Sequence, residues 1–271
     1  RAEGLADRFE DAALDLQFSS LSSVGNDTKW LEELAQSLCG GDKARPRLRF
    51  VFPTRDQVKD SLEGWVAGSS IPCAPENADK LRARIRELSG QSGLATLCGW
   101  DGGRPDGAAG VAGRAAAVPH IKTYARVADD GELAWALCTS NNLSQAAWGK
   151  LEKGGSQLYI KSYELGVLIL PSLQPPALRT LIAASSPAAA AATAAAPPTT
   201  TIVPLPYSIP PVPYGPSDVP WSQARAVMEP SSNQTPDRHG RTPAYYWLGE
   251  NPRGSSYYGP RATGRLLAQA S

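Results

Sequence analysis

The sequence predicts an α/β fold in which a β-sheet is flanked by helices, and three observations predict it. Residues 47–53 read RLRFVFP, where Leu48, Phe50 and Phe52 alternate and Pro53 closes the run, as in a strand. Residues 133–138 are apolar on both sides of the same alternation, as in a strand buried on both faces. Trp30, Leu31, Leu34 and Leu38, and further on Leu81, Ile85 and Leu88, fall at helical spacing and form apolar stripes suited to covering a sheet.

Bulk properties narrow the function without naming it. A chain of 271 residues with 42% hydrophobic content is long enough to bury a substantial core. The net charge of +1 carries no basic excess, so a nucleic-acid role has to come from a site. No apolar run reaches the length needed to cross a bilayer, and no membrane partner is expected. Cys39, Cys73, Cys98 and Cys138 form no C-x-x-C pair and the chain has only two histidines. A zinc cluster is therefore not expected, nor is any other metal or cofactor; the cysteines read as reduced thiols, with Cys138 buried in its strand. The chain opens on Arg1 and its only methionine is Met228, which reads as a fragment of a longer product.

Taken in order, residues 1–16 place Leu5, Phe9, Ala12, Ala13 and Leu16 near helical spacing, which predicts a helix. Residues 17–25, QFSSLSSVG, form a serine-rich loop. Asn26 or Asp27 caps the helix that carries Trp30. A short helix follows over 56–62, and residues 77–88 form an amphipathic helix. Arg82, Arg84 and Arg86 on that helix fit a solvated face or, alternatively, a DNA-facing patch. Residues 101–117 are rich in Gly and Ala and read as an insertion. A short helix is expected over 144–150, then one buried strand over 159–170, or two with a bend at Gly166. Residues 171–200 run in Ala, Pro and Thr and read as a low-complexity linker, followed by a C-terminal segment over 201–271 whose tail, after about 241, is expected to be partly disordered.

The chemistry concentrates in 119–171. As a strand, residues 120–124 (HIKTY) would send His120 and Lys122 to the same face. An imidazole that moves protons beside an ammonium that holds negative oxygens suits work on a phosphate ester. Asn142, at the end of an apolar run, adds amide donors without adding a titrating group. A bare H-x-K triplet also fits a surface strand with no chemistry.

The triplet is not bare. HIKTY, TSNNLSQAAWG over 139–149 and SYELGVL over 162–168 together resemble the second catalytic motif of the tyrosyl-DNA phosphodiesterases, a family of the phospholipase D superfamily. Further similarity lies in QFSSLSSVG, in SLEGW with GSSIP over 61–72, in LPYSIPP over 205–211, in DVPW over 218–221 and in PDRHG over 236–240. The resemblance covers most of 17–240. It implies a mixed sheet in a phospholipase D-like α-β-α sandwich, one of two pseudo-repeated halves, with residues 1–170 as the catalytic half-domain and 201–271 packing back on it.

The resemblance also implies roles. His120 would be the general acid and base, Lys122 and Asn142 phosphate clamps, and Glu164 the carboxylate that orients a partner imidazole; Glu164 also fits a buried acid paired with a local cation. Ser19, Ser20 and Ser23 would contact the DNA backbone, Ser70 and Pro72 would line the peptide side of the cleft, and Ser140, at the strand end beside Asn142, would bind substrate. Implied partners are DNA with 3′-blocked ends, single- or double-stranded, and the peptide or tyrosine adduct it carries, and the implied location is the nucleus. No histidine precedes His120, and His239 reads as structural, so the nucleophile that the family draws from its first half is missing. The reading that follows is the second half of a 3′-phosphotyrosyl phosphodiesterase, inactive alone. Two alternatives stay open: a single-motif phosphodiesterase active as a homodimer, and a non-catalytic DNA-binding relic.

Overall fold

The computed structural model describes residues 9–40, 46–92, 95–100, 116–184 and 200–248. Its centre is a six-stranded mixed sheet in the order β3-β2-β1-β4-β5-β8. The strands are β1 (Ala13–Gln17), β2 (Leu48–Val51), β3 (Ala95–Cys98), β4 (Lys122–Val127), β5 (Leu133–Thr139) and β8 (Gly166–Ile169). Strands β1, β2 and β3 run parallel; β4 is antiparallel to β1, β5 to β4, and β8 to β5. The carboxyl ends of β1, β2, β3 and β5 therefore meet the amino ends of β4 and β8 at one end of the sheet. Open α/β sheets place ligands where strands deliver their loops in this way.

One face of the sheet is covered by helices. Leu14, Leu16 and Phe18 from β1 and its exit, with Leu48, Phe50 and Phe52, pack under α1 (Lys29–Cys39) and α3 (Pro75–Ser92), which contribute Trp30, Leu31, Leu34, Leu81 and Ile85. A short helix, α2 (Arg55–Lys59), is closed by a capping box in which the Thr54 side chain accepts from the Gln57 N–H and the Gln57 side chain accepts from the Thr54 N–H. The opposite face holds Val51, Ala125, Val127 and Leu133 beneath a two-stranded ribbon, β9 (Thr180–Ala183) and β10 (Thr200–Val203), and beneath Leu205, Tyr207 and Ile209.

The C-terminal segment seats on the first face through tryptophans. Trp221 stacks between Trp65 and Trp247, its Nε1 donates to the Ile71 carbonyl (2.9 Å), and Trp65 Nε1 donates to the Thr235 carbonyl (2.9 Å). Asp237 accepts from the backbone N–H of Trp65, His239 and Arg241. Helices α5 (Gln223–Met228), α6 (Pro230–Asn233) and α7 (Pro243–Trp247) complete it. His239 accepts a structural part as expected, its Nε2 bonded to the Leu62 carbonyl (2.7 Å).

Five expectations change. The helix predicted over 1–16 is, in its described part, the strand β1: all of Ala13–Gln17 is buried, including Asp15 and Gln17. A strand buried on both faces has no polar side to reveal period two, and Ala and Leu at chance helical spacing mimic a stripe. Residues 159–170 are not buried: β6 (Lys150–Glu152) and β7 (Gln157–Tyr159) form a small hairpin, and β8 is an exposed edge of the sheet. Cys138, opposite Val167 on β8, is exposed for the same reason. The linker expected over 171–200 already has structure at its ends, where β9 and β10 bury Leu181 and Ala183; residues 185–199 lie outside the described residues. The C-terminal segment is ordered through 248, and its remainder, like 101–115 of the expected insertion, lies outside the described residues.

Candidate phosphoryl-transfer site

The ligand end of the sheet gathers four stretches: 17–23 leaving β1, 120–122 entering β4, 139–145 leaving β5, and 164–166 entering β8. Register fixes them side by side, with Gln17 opposite Thr123, Lys122 opposite Thr139, and Thr139 opposite Gly166. Leu21 bridges both Cys73 and Leu143, and its N–H donates to the Pro72 carbonyl (3.2 Å), which draws in the 70–73 turn.

The strand β4 begins at Lys122, so His120 lies in the approach to it and strand alternation does not relate the two. His120 is exposed while Lys122 is buried. They are joined through the backbone: Lys122 Nζ turns back and donates to the His120 carbonyl oxygen (2.6 Å). An ammonium has three donors, and this contact uses one. Among the described residues no carboxylate pairs with Lys122. Burial pulls the Lys122 ammonium below its usual range, with the Glu164 charge pulling weakly the other way. Burial, and secondarily the charge of Lys122, lowers the His120 imidazole below its usual 6.5.

Asn142 is oriented by the serine loop. Its Oδ1 accepts from the backbone N–H of Ser19 (3.0 Å) and Ser20 (2.9 Å), and from the Ser19 hydroxyl (3.4 Å). Two backbone donors can be met only by an oxygen, so the amide has one orientation, and its Nδ2, with two donors, is turned away from them. Ser19 is itself buried and serves Asn142; it is not an open DNA contact. Ser20 is half-buried and Ser23 exposed, the latter's carbonyl accepting from Gln145 N–H (2.9 Å). Ser70 and Pro72 are exposed on the adjoining turn.

The rest of TSNNLS is consumed by the turn. Thr139 donates to Asn141 Oδ1 (2.5 Å), Asn141 Nδ2 donates to the Ala147 carbonyl (3.0 Å), and Ser144 caps the four-residue helix α4 (Gln145–Trp148) by accepting from Ala147 N–H (3.2 Å). Ser140 Oγ donates to Glu164 Oε2 (2.5 Å) and accepts from Leu165 N–H (2.9 Å), so this hydroxyl holds the carboxylate. Glu164 is half-buried, not the buried acid of an ion pair. Beneath the site Trp148 Nε1 donates to the Tyr124 hydroxyl (3.2 Å), which donates to the Asn141 carbonyl (3.1 Å); burial pushes that phenol well above its usual range.

Sequence reasoning missed Tyr124, Trp148 and Gln17. Gln17 is fully buried, its Nε2 donating to the Ile121 carbonyl (2.7 Å) and its Oε1 accepting from the Thr123 hydroxyl (3.1 Å). The signal was present, since Gln17 opens the QFSS string, but only the serines drew attention.

A mixed sheet with helices against it, an H-x-K entering one strand and an Asn leaving its neighbour at the same end, defines a phospholipase D-like α/β domain. The crystal structure of yeast tyrosyl-DNA phosphodiesterase shares this fold, with a TM-score of 0.50 at 18% identity over 81% of this chain and 52% of that one. A family model described as tyrosyl-DNA phosphodiesterase matches residues 4–215. The chain belongs to the tyrosyl-DNA phosphodiesterase family. It is 37% identical over 248 residues to tyrosyl-DNA phosphodiesterase 1 of Arabidopsis thaliana, a match covering 82% of this chain and 38% of that relative. A probable tyrosyl-DNA phosphodiesterase of Schizosaccharomyces pombe is 38% identical over 179 residues, 61% of this chain and 30% of the relative. The chain thus spans between about three tenths and two fifths of the length of these two relatives.

Proposed function

We propose that this chain supplies the second half of a phosphodiesterase that removes tyrosyl and other adducts from DNA 3′ ends, and that it does not turn over substrate alone. The observation that carries this reading is Lys122: a buried ammonium without a carboxylate partner among the described residues, braced on the His120 carbonyl, at the sheet end where Asn142 presents a fixed amide. A buried cation whose carboxylate neighbour, Glu164, makes no ion pair with it is costly unless an anion completes it. A phosphodiester is such an anion.

In this mechanism a histidine from the other half attacks phosphorus, and the P–O bond to the tyrosine breaks as the N–P bond forms. His120 gives its proton to the departing phenolate, then takes one from the water that breaks the N–P bond, leaving a 3′-phosphate. Lys122 Nζ and Asn142 Nδ2 hold the phosphoryl oxygens as their charge develops. Glu164, held by Ser140, orients the imidazole of the other half. A nuclear location follows from action on DNA ends.

The missing half has a place to sit. Tyr163, Leu165 and Val167, next to Glu164 along the chain, are 104%, 84% and 67% exposed, and Leu158 and Ile160 just before them are exposed too. Such a stretch beside a site marks a surface built to be covered. A second copy of this chain on a twofold axis could cover it too, and would bring two His120 imidazoles together.

The test is turnover of a 3′-phosphotyrosyl oligonucleotide by the chain alone, and mixed with a polypeptide matching the first half of a relative, with light scattering to give the assembly. No turnover alone, and turnover in the mixture that His120→Ala abolishes, is expected. Turnover by the chain alone as a dimer would replace the two-half reading with the homodimer. A mixture that associates but stays inactive would leave a DNA-binding relic.

A further inference from the structure

The two pieces of the site lie on the consecutive strands β4 and β5, and one short stretch from far earlier in the chain touches both. Residues 17–20 leave β1 with Gln17 reaching one way and Ser19 and Ser20 the other. Gln17 grips the backbone of the H-x-K triplet at Ile121, the residue between His120 and Lys122, and grips the side chain of Thr123 just beyond it. Ser19 and Ser20 grip Asn142 by its oxygen. The Tyr207 phenol of the C-terminal segment lies against the Thr123 hydroxyl, which extends the buried polar chain to the opposite face of the sheet.

A fully buried glutamine amid β-sheet needs partners for its amide, and Gln17 finds one in β4, at Thr123, and the other at Ile121 just before it. The Ile121 carbonyl lies just before β4 begins, so β-ladder pairing does not reach it and the Gln17 amide is what ties it to β1. Hydrogen-bonded polar networks of this kind specify one arrangement where apolar packing would allow several.

We propose that Gln17 is a positioning residue for the site: it sets the H-x-K triplet against the Ser19–Ser20 cradle of Asn142, so that 17–20 act as one brace fixing Lys122 and His120 relative to the Asn142 amide. This rests on the reading of those three as phosphoryl-binding groups only for its functional consequence; the geometry is tested separately.

The chain has two histidines, which makes the test direct. Imidazole proton signals are followed by NMR against pH in the wild type, in Gln17→Met and in Thr123→Val, with His239→Gln to assign them. His120 is held below its usual 6.5 by burial and by Lys122. In Gln17→Met the triplet is released, and the His120 midpoint rises toward 6.5. Thr123→Val, which removes the donor to Gln17 Oε1 and the hydroxyl beside Tyr207 but leaves the Gln17 contact with Ile121, gives a smaller rise. Affinity for a 3′-phosphorylated oligonucleotide falls about tenfold in Gln17→Met. An unmoved His120 midpoint in a folded Gln17→Met overturns the brace; if that variant does not fold, an unmoved midpoint in Thr123→Val does so. A moved midpoint with unchanged oligonucleotide affinity leaves the brace standing and refutes the phosphoryl-binding reading instead.

Discussion

Asn142 offers the sharpest separation of structure from function, because its two ends do different work. Its oxygen takes two backbone N–H groups, from Ser19 at 3.0 Å and Ser20 at 2.9 Å, while its nitrogen is the proposed phosphate donor. Asn142→Leu strips both N–H groups of their acceptor in a partly buried turn. At ~1 kcal/mol each this costs about 2 kcal/mol, or roughly 4–8 °C in Tm for a domain of this size. Asn142→Asp keeps an oxygen at the cradle and strengthens both bonds, so stability stays within about 0.5 kcal/mol of wild type. The same change puts a carboxylate oxygen where the donor stood. The loss of one charge-assisted bond together with the new repulsion weakens binding of a 3′-phosphorylated oligonucleotide by about a hundredfold. Urea unfolding followed by circular dichroism gives the first quantity and fluorescence anisotropy the second. An Asn142→Asp variant as unstable as Asn142→Leu would mean that the amide is turned the other way. One that binds as tightly as wild type would remove Asn142 from the phosphate site.

Three further outcomes are expected. The fully buried Asp15 carboxyl, paired with Arg49, is pushed by burial from 3.8 up to about 6, the Arg49 charge opposing the rise. Its folded pKa is raised, so the stability it contributes is complete below pH 3.8 and is lost as pH rises from there through about 6, ~3 kcal/mol in all; in urea melts the stability of wild type relative to Asp15→Asn should fall by that amount from below pH 3.8 to above pH 6, and a pH-independent difference sinks the assignment. A Cβ on Gly68 would meet the Trp221 ring, so Gly68→Ala should unseat the C-terminal segment at a cost of about 2–3 kcal/mol, read as a red shift of tryptophan emission; an unshifted spectrum and unchanged midpoint would show that the contact yields freely. Leu165→Lys, at a side chain 84% exposed, should leave the unfolding midpoint of this chain unchanged within about 0.5 kcal/mol yet abolish reconstituted turnover; retained turnover would show that this face is not where the other half binds.

How much of this was legible follows from what kind of burial each element has. Helices α1 and α3 show one polar side and one apolar side, which Leu81, Ile85 and Leu88 mark locally, and in β2 the alternation of Leu48, Phe50 and Phe52 with Arg49 marks the strand although Val51 on its other face is buried too. β1 has no exposed side, so nothing in its own sequence distinguishes it from a helix. The reverse holds over 159–170, where an apolar string reads as core and Tyr163, Leu165 and Val167 stand in solvent. Hydrophobic pattern reports that a face wants cover; it does not say whether the same chain supplies it.

From the sequence alone came the α/β class, the helical face, the family resemblance and the identities of His120, Lys122, Asn142 and Glu164, because these are carried by short strings and by one-sided periodicity. The tertiary structure alone decided that Asn142 is held by Ser19 and Ser20, 123 and 122 residues away, that Gln17 grips the backbone of Ile121, and that Ser140 serves Glu164. Each of these depends on strand order and register, which bring residues distant along the chain to hydrogen-bond range, and no local pattern of side chains encodes which distant backbone group will be met there.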